Sequence, residues 1–469
     1  MTIWFDVDDL IAFHRDTPTP TGIQRLSFET CRAMFTLAGA SDEIKFCRQS
    51  ANRLGFRAIS FPALEGFIHR AAQAMPPSPI ALPQDHPRPL VPRGALRLRQ
   101  RLRSLPPEFH RPLAALRLSG KIAGQAARDL WRACLHPALR APGWDGVTSA
   151  DDCDLGGSEI AFAPGDWLVC LGAGWNTPYA PSLLHGLRAQ KARFALLVYD
   201  LIPELFPEWC RSSVVEDFSH WLRNIVPQAD RVFAISGHTA QDLAACMARL
   251  GLHTPPALVL PVGGNLVMAT PSRPSRPYIL VVGTLEIRKN HAALLRVWRA
   301  LLRNPPPGGV PELVIAGKPG WLATDVIQQL HDTDGFAGHI RVVAAPSAPA
   351  LQALYAGCLF TVFPAFYEGW GLPVTESLCF GKTVAASRNA AIPEAGGAFC
   401  VYFDPDDTNE MHRVIRGLIE SPARRAALEA LIAEHYRPPA WADTATALLD
   451  ALNPVPAQRV AQLVVAEPE

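Results

Sequence analysis

Short apolar runs alternate with helix-like amphipathic stretches along most of the chain from about residue 160 onward. Near-continuous apolar runs of this kind are typical of parallel strands that helices cover on both faces. The runs that predict strands lie at residues 167–171, 194–199, 232–235, 257–260, 278–282, 312–316, 339–344, 359–363 and 383–386. An earlier strand at 3–7 precedes a helix that begins near Gly22. The pattern predicts the α/β class, with doubly wound parallel sheets.

A connector rich in proline and serine, at residues 270–277, separates two such α/β runs. Because a segment of this composition is stiff and exposed, we place a domain boundary there. The prediction is an N-terminal domain at 1–266, a C-terminal domain at 278–440, and a last helix and tail at 441–469 that packs back towards the N-terminal domain. Residues 40–155, rich in proline and without clean alternation, are predicted to be an insertion that is strongly basic between 86 and 140.

Composition narrows the classes of function. The net charge of +1 gives no global argument for nucleic acid as a partner. The ten cysteines form no CxxC pair, so neither a zinc ribbon nor a thioredoxin-like motif is indicated. The chain starts with acidic residues where a secretory signal is basic, and no apolar run approaches the roughly 20 residues of a membrane span. We therefore expect a cytoplasmic protein.

Two cations follow the strand at 278–282. The strand leads into Gly283 and Thr284, and then into Arg288 and Lys289 just before a helix. Free amides at a helix N-terminus attract anions, and ligands of open parallel sheets bind at the carboxyl ends of the strands. The segment therefore predicts an anion site, with a solvated basic turn as the alternative.

A pair of glutamates follows the strand at 359–363. Glu368 lies in a loop with two glycines, and Glu376 lies on the helix that Pro373 starts. Glycines let backbone amides approach a ligand closely, and a carboxylate in such a loop can bind sugar hydroxyls. A carboxylate one turn into the helix can accept both hydroxyls of a ribose. The alternative is that both acids only complement the helix dipole.

Three strings together resemble one known family. FYEGWGLPVTESL around Glu368 and Glu376, VGTLEIRKNHAALL at 282–295 and LVIAGKPGW at 313–321 occur in the order seen in the retaining glycosyltransferases of family four. The resemblance covers about residues 278–450 and extends to bacterial polysaccharide and O-antigen mannosyltransferases. It implies the GT-B architecture, in which two Rossmann-like domains face a central cleft.

The resemblance implies roles for single residues. Lys289, helped by Arg288, would bind the donor diphosphate, Glu376 the ribose and Glu368 the transferred sugar. Glu368, Lys289 and Arg288 are the predicted catalytic residues. The other predicted donor-binding positions are Gly22, Gly283, Thr284, Lys318, Gly369, Trp370, Gly371 and Leu372. Thr284 stands where some members carry Arg, which leaves more of the diphosphate charge to Lys289 and Arg288.

The N-terminal domain matches the family less closely. TGIQR at 21–25 resembles the glycine loop near the donor phosphates, and Arg25 within it reads equally as structural or functional. Tyr199 and Asp200 resemble the family's His-Asp-x-x-Pro turn and are predicted on the acceptor side. Tyr199 replaces the His of relatives, and Asp200 either caps the next turn or contacts the acceptor.

No metal ion and no cofactor are expected. Of the two Asp-x-Asp strings, 152–154 reads as a turn, and Asp6 with Asp8 reads as structural or acceptor-side.

The expected reaction moves a hexosyl group from a nucleotide sugar, GDP-mannose or another, to a saccharide or lipid-linked saccharide, with retention of configuration. A mannosyl group is the candidate that the resemblance suggests. The alternatives are a non-catalytic sugar-nucleotide-binding module and a nucleotide-sugar epimerase.

The basic segment 86–140 reads either as a peripheral contact with the inner face of the membrane or as a solvated insertion.

Overall fold

A computed structural model describes residues 1–17, 22–39, 43–50, 54–74, 155, 157–176, 179–264 and 276–453. Residues 1–264 are called the first half below, and residues 276–453 the second half. The predictions for the basic segment 86–140, for the Asp-x-Asp string at 152–154 and for most of the connector at 270–277 lie outside the described residues.

A seven-stranded sheet organises the first half, in the order β3-β2-β1-β4-β5-β6-β7. Its strands are β1 (Ile3–Asp6), β2 (Ile44–Gln49), β3 (Phe56–Ile59), β4 (Trp167–Cys170), β5 (Arg193–Val198), β6 (Arg231–Ala234) and β7 (Leu258–Val259). All neighbours pair in parallel except β2 and β3, which are antiparallel. The helices of this half are α1 (Asp8–Asp16), α2 (Gly22–Ala38), α3 (Phe61–Ala74), α4 (Pro181–Ala189), α5 (Ile202–Leu205), α6 (Ser212–Asn224) and α7 (Gly237–Arg249).

A six-stranded, fully parallel sheet organises the second half, in the order β10-β9-β8-β11-β12-β13. Its strands are β8 (Tyr278–Val282), β9 (Glu312–Ala316), β10 (Ile340–Val343), β11 (Thr361–Phe363), β12 (Val384–Ser387) and β13 (Cys400–Phe403). Its helices are α8 (His291–Arg303), α9 (Thr324–Asp332), α10 (Asp334–Gly338), α11 (Ala348–Gly357), α12 (Leu372–Cys379), α13 (Ile392–Gly396), α14 (Thr408–Glu420), α15 (Pro422–His435) and α16 (Trp441–Leu452). The predicted fold class, α/β with two Rossmann-like doubly wound sheets, is confirmed.

Each sheet has its own apolar core, and the last helix joins the first one. Phe5 of β1 packs in one cluster with Met34 of α2 and Leu448 of α16. The indole of Trp167 donates a hydrogen bond of 3.0 Å to the carbonyl of Leu452. Helix α16 therefore belongs structurally to the first half, although it follows the second half in sequence.

The sequence pattern did not predict three of the strands. Strands β2 and β3 and helix α3 lie within residues that the sequence assigned to the insertion. The N-terminal part of the α/β fold therefore continues to residue 74 instead of ending near residue 40. IKFCRQ of β2 carries charged residues, and FRAI of β3 is a four-residue antiparallel edge strand. Strand β13 is also a short edge strand. Charged residues interrupt the apolar run in β2 and β3, and β13 is only four residues long, so the pattern missed them. Within the described residues, no helix has the length and apolar character needed to cross a membrane.

Candidate functional site

The turn after β8 places Lys289 against Gly283. Gly283 has a φ of +147°, and a Cβ built on it would lie 3.5 Å from the Cε and 3.8 Å from the Nζ of Lys289. The neighbouring loop after β9 comes much closer, because a Cβ on Gly317 would lie 1.9 Å from the Gly283 carbonyl oxygen. Glycine is therefore required at these approaches, and Lys289 folds back over the end of β8.

Glu368 is buried between the two predicted cations. Its carboxylate pairs with the Lys289 ammonium, and its Oε1 lies 2.5 Å from the Arg288 guanidinium. Burial alone would raise the pKa of Glu368, but Arg288 and Lys289 together outweigh burial and lower it. The three predicted catalytic residues thus meet at one point, and Glu368 stays ionised at neutral pH.

Arg288 has more partners than Lys289. Its guanidinium also lies 2.6 Å from Glu286 Oε1 and donates a hydrogen bond of 3.0 Å to the carbonyl of Tyr367. The main-chain carbonyl of Arg288 accepts from the amide of Phe366 at 3.0 Å. Arg288 is thus held by two carboxylates and by the segment that leads into Glu368, whereas Lys289 pairs with Glu368 alone among the described acids.

Glu376 is engaged by both halves. One carboxylate oxygen pairs with Arg25 of the first half, and the other accepts from the Tyr355 hydroxyl at 2.7 Å. Pro373 stands in the first turn of α12, as predicted from the sequence. Arg25, read equally as structural or functional from the sequence, therefore faces the carboxylate predicted to hold the ribose, and Tyr355 is a partner that the sequence did not suggest.

Residues 369–372, called the Trp370 loop, pass through the contact between the halves. A Cβ on Gly369 would lie 1.8 Å from the carbonyl oxygen of Tyr199. Gly371 has a φ of +108°, and a Cβ on Gly22 would lie 3.3 Å from Leu372 Cδ1. Trp370 packs against the apolar clusters of both halves. Close packing between the halves therefore accounts for glycine at position 369, and Gly22 lies in the same contact.

Tyr199 and Asp200 differ in what they present to this site. The Tyr199 hydroxyl is buried, and it donates to the Leu171 carbonyl at 2.6 Å and contacts the Ser27 hydroxyl at 3.0 Å. Only the main-chain carbonyl of Tyr199 reaches the Trp370 loop, because its side chain points into the core of the first sheet. The sequence-based expectation of an acceptor-side role for that side chain thus finds no support in its position.

Asp200 does cap the next turn, since its Oδ1 accepts from the amide of Ile202 at 3.0 Å. Burial raises its pKa, against the influence of Arg288. The charges of Arg288 and Glu368 both act on Asp200, so its carboxylate lies near these two residues. Asp200 therefore caps the turn and also lies near the site.

Asp6 and Asp8 are tied into the first sheet. The Asp6 carboxylate accepts from the Tyr179 hydroxyl and, at 2.9 Å, from the amide of Asp8. Asp8 accepts from the amide of Gln49 at 2.7 Å. Burial raises the pKa of Asp6 to about 6. These bonds give the pair a structural role. In the described part of the chain, no group of three potential metal ligands comes together.

Lys318 and Thr284 lie near the turn that carries Lys289. Both line a cavity next to the turn after β8, and the Lys318 ammonium lies 5.7 Å from the centre of the Phe13 ring. Burial lowers the pKa of Lys318. These two predicted donor-binding residues are therefore grouped with one another and apart from the Lys289–Glu368 pair.

A second contact between the halves involves Glu394 of α13, which the sequence did not single out. Its carboxylate accepts from the amides of Gly237 and His238, at 2.7 and 2.8 Å, at the start of α7. A carboxylate at a helix N-terminus is a favourable arrangement. The only sequence signal was an acid after a proline in IPEAG, which is also ordinary for the first turn of α13 itself.

Comparison with known proteins agrees with this arrangement. Residues 268–433 match the family model described as Glycosyl transferases group 1. The chain is 28% identical over 218 residues to the serotype-specific mannosyltransferase WbdA of Escherichia coli, which covers 43% of this chain and 26% of WbdA. It is 31% identical over 175 residues to the O-antigen chain mannosyltransferase B of Escherichia coli. This alignment covers 36% of this chain and 39% of that protein. The chain thus spans less than half of the length of these two relatives.

One solved structure, described as trehalose-6-phosphate from E. coli bound with UDP-2-fluoro glucose, aligns with a TM-score of 0.49 at 14% identity, over 62% of this chain and 74% of that one. The second half, which contains Lys289, Glu368 and Glu376, carries the family match. The chain is therefore similar to the group 1 glycosyltransferases over its second half. The resemblance to bacterial O-antigen mannosyltransferases is confirmed.

Proposed function

We propose that the chain transfers a hexosyl group from a nucleotide-sugar donor to a saccharide acceptor, with retention of configuration and without a metal ion. The observation that carries this proposal is the meeting of Lys289, Arg288 and Glu368 beside the Trp370 loop. A mannosyl group from GDP-mannose is the first choice of donor, because the two relatives described above are mannosyltransferases by name.

Lys289 is the cation that meets the leaving diphosphate in this proposal. Arg288 is already balanced by Glu286 and Glu368, so it acts as a positioning residue that holds Glu368. Lys289 has Glu368 as its one ion-pair partner among the described residues, and it rests on Gly283 at the end of a parallel strand. Negative charge that develops on the diphosphate in the transition state is therefore stabilised by Lys289 and by the N-terminus of α12.

Glu368 acts as a hydrogen-bond acceptor for hydroxyls of the transferred sugar. Because Arg288 and Lys289 lower its pKa, the carboxylate has no proton to donate at neutral pH. Glu376 takes the ribose on the neighbouring helix. Because we identify no protein nucleophile among the residues that the structure describes, the departing phosphate serves in this proposal as the base for the acceptor hydroxyl.

A lysine and a helix N-terminus together supply the positive charge that Mg²⁺ supplies in other transferases, which supports metal independence. Activity is therefore expected to survive EDTA. A loss of activity that Mg²⁺ or Mn²⁺ restores would contradict this part of the proposal. A lipid-linked saccharide as the acceptor and a place at the inner face of the membrane complete the proposal, and liposome flotation of the full chain tests the second point.

A thermal-shift screen with GDP-, UDP- and TDP-sugars tests the donor site. A ligand at about 100 times its Kd should raise the free energy of unfolding by about 2.7 kcal/mol. Lys289→Ala is expected to abolish the shift. Lys382→Ala is the matched control, because Lys382 also pairs with one glutamate of the second half, at 4.0 Å. A Lys289→Ala protein that responds as the wild type does would remove the proposed phosphate site.

Product analysis separates the alternatives. Release of nucleotide together with a glycosylated acceptor supports the transferase. Binding without turnover would indicate a sugar-nucleotide-binding module, and an altered nucleotide sugar would indicate an epimerase.

A further inference from the structure

A cavity of about 350 Å³ opens between the two halves beside the turn after β8. Its volume falls within the range of about 300–1,000 Å³ that is usual for small-molecule sites. Its walls include Arg211 and Val214 from the first half and Thr284, Lys318, Gly320 and Trp321 from the second half.

The charge on these walls is positive and unbalanced. Arg211 is exposed and Lys318 is half-buried, and in the part of the chain that the structure describes neither has a carboxylate within ion-pair distance. Burial is the one cause that lowers the pKa of Lys318, which agrees with the absence of a nearby acid. Two cations from opposite halves therefore share a cavity without a counter-ion among the described residues.

Helix α6 adds to this positive potential. The helix starts at Ser212, directly after Arg211, with no side-chain cap on its first amides and no acid in its first turn. Its N-terminal amides therefore remain free for an acceptor of hydrogen bonds. The helix alone would be an ordinary solvated end. Together with Lys318 across the cavity, it makes one side of an anion site.

An aromatic rim completes the cavity. The Trp321 side chain is 38% exposed, and its Nε1 donates a hydrogen bond of 2.7 Å to the carbonyl of Trp209. Trp209 is itself stacked on Phe206, with ring centres 4.2 Å apart. The bond fixes the Trp321 indole while its ring stays accessible, and a fixed aromatic face of this kind offers apolar contact area at low entropic cost.

The cavity also adjoins the proposed reaction centre. Thr284 follows Gly283, on which Lys289 rests. The pKa of Cys210, on the cavity wall, is raised mainly by burial, and the charges of Asp200, Arg288, Glu286 and Glu208 act on it as well. Neither Lys289 nor Glu376, the residues assigned to the donor diphosphate and ribose, is part of the wall. The cavity is therefore close enough to take part in the reaction and separate from the donor contacts.

We propose that this cavity binds the acceptor saccharide, and that the acceptor carries an anionic group that Arg211, Lys318 and the N-terminus of α6 recognise. The proposal rests on the proposed transferase function and moves Lys318 and Thr284 from the donor to the acceptor. The apolar face of the sugar ring lies against Trp321. The anionic group is a phosphate or a carboxylate, which present the same charge and hydrogen-bond acceptors to this cavity.

The test uses the full chain, saturated with the nucleoside diphosphate that gives the largest thermal shift. Isothermal titration then compares α-mannose 1-phosphate, glucuronate and methyl α-mannoside. We expect at least one of the two anionic sugars to bind about tenfold more tightly than the neutral one, and the tighter of the two identifies the anion. Equal binding of all three would overturn the proposal.

Two variants locate the binding. Arg211→Gln and Lys318→Met should each weaken binding of the anionic sugar at least fivefold and leave the Kd of the nucleoside diphosphate within twofold. Arg296→Gln, which removes an exposed arginine on α8, is the matched control. An equal loss of nucleotide affinity in Arg211→Gln would assign the cavity to the donor and refute an acceptor site. If the wild type bound no nucleotide, the proposed function would fail, and the same titration without nucleotide would still decide whether Arg211 and Lys318 bind the anion.

Discussion

Glu368 shows how neighbouring charges fix the chemistry that one carboxylate can perform. Arg288 and Lys289 lower its pKa although it is buried. An ionised carboxylate accepts hydrogen bonds and cannot act as a general acid at neutral pH. Any acidic limb in the pH profile of the reaction near neutrality should therefore come from a group other than Glu368.

Gly369 is the residue whose substitution should separate activity from folding. Gly369→Ala would place a Cβ 1.8 Å from the Tyr199 carbonyl oxygen, so the Trp370 loop must move by more than 1 Å. A displacement of that size near reacting groups can lower kcat/KM about 100-fold. Steady-state kinetics measure the loss, and circular dichroism checks that the fold persists.

Gly186→Ala provides the matched control. Gly186 lies inside α4, and a Cβ there would meet nothing within 4 Å. The control should keep full activity and gain about 0.5–1 kcal/mol of stability, because Gly is costly in a helix. Normal activity in Gly369→Ala would show that the loop accommodates the methyl group.

Asp6 should make stability depend on pH in an unusual direction. Burial raises its pKa from 3.8 to about 6, so the folded state holds this proton more tightly than the unfolded state does. Stability then falls as the pH rises from about 4 through about 6. Asp6→Asn removes this loss, and its advantage in free energy of unfolding should grow by up to about 3 kcal/mol between pH 4 and pH 7.

Urea denaturation at several pH values measures this difference. Asp217→Asn, which removes an exposed carboxylate of α6, is the control, and Asp6→Asn should show the larger change with pH. A flat difference for Asp6→Asn would mean that the folded protein does not perturb the Asp6 carboxyl.

Sequence reasoning reached the residues of the site better than their orientations. The resemblance assigned Lys289 and Glu368 to one donor, and the structure explains why they meet, because each follows a parallel strand, β8 and β11, and these strands are neighbours. The Tyr199 side chain could not be oriented, because a strand end presents one residue to the core and the next to the cleft. The partner of Glu376 could not be found either, since Arg25 is 351 positions away.

At the level of elements, continuous apolar runs predicted the central strands and the edge strands β7 and β10, but they missed β2, β3 and β13. Strands β8 and β9 are buried on both faces and were found with their bounds. Strand β2 carries Lys45 and Arg48 within its six residues, because an edge or near-edge strand keeps polar positions in contact with solvent. An apolar run therefore identifies a strand most securely where helices cover both faces, and charged residues within a strand such as β2 conceal it.

Helix α16 is expected to stabilise the first half by burying its apolar side against α2. Leu448 is fully buried in the cluster that also contains Phe5 and Met34. Leu448→Ala should lower the free energy of unfolding by about 2–5 kcal/mol, because it leaves a cavity among packed side chains. Leu431→Ala on α15, where the leucine is 36% exposed, is the control and should change it by less than about 0.5 kcal/mol. A loss as small as the control's would mean that α16 is only loosely docked.

At the level of the whole molecule, polar contacts bridge the halves at several points around the site. Arg25 pairs with Glu376, Glu394 bonds to the first amides of α7, and Tyr367 donates to Asp242. Each contact joins residues more than a hundred positions apart, so no local pattern could have predicted them. They are polar and partly exposed, which suits an interface that must admit and release a substrate.

The Arg25–Glu376 pair should compete with the nucleoside of the donor. In the proposed donor complex the Arg25 guanidinium would have to share or release its oxygen of Glu376 for a ribose hydroxyl, whereas Tyr355 uses one lone pair of the other oxygen and leaves a second one for the ribose. Arg25→Ala is therefore expected to lower the Kd of the free nucleoside two- to tenfold, while the stability changes by less than about 1 kcal/mol because the Arg25 side chain is 46% exposed.

Tyr355→Phe should act in the opposite direction. It removes the hydroxyl that holds the other oxygen of Glu376, so the carboxylate loses its orientation and nucleoside binding should weaken. Calorimetric titration of the two variants and the wild type with the same nucleoside measures both effects. The two contacts on one carboxylate would then be separated, Arg25 as a competitor of the ribose and Tyr355 as a support for it. An Arg25→Ala protein that binds the nucleoside no better than the wild type would mean that Glu376 does not exchange Arg25 for the ribose.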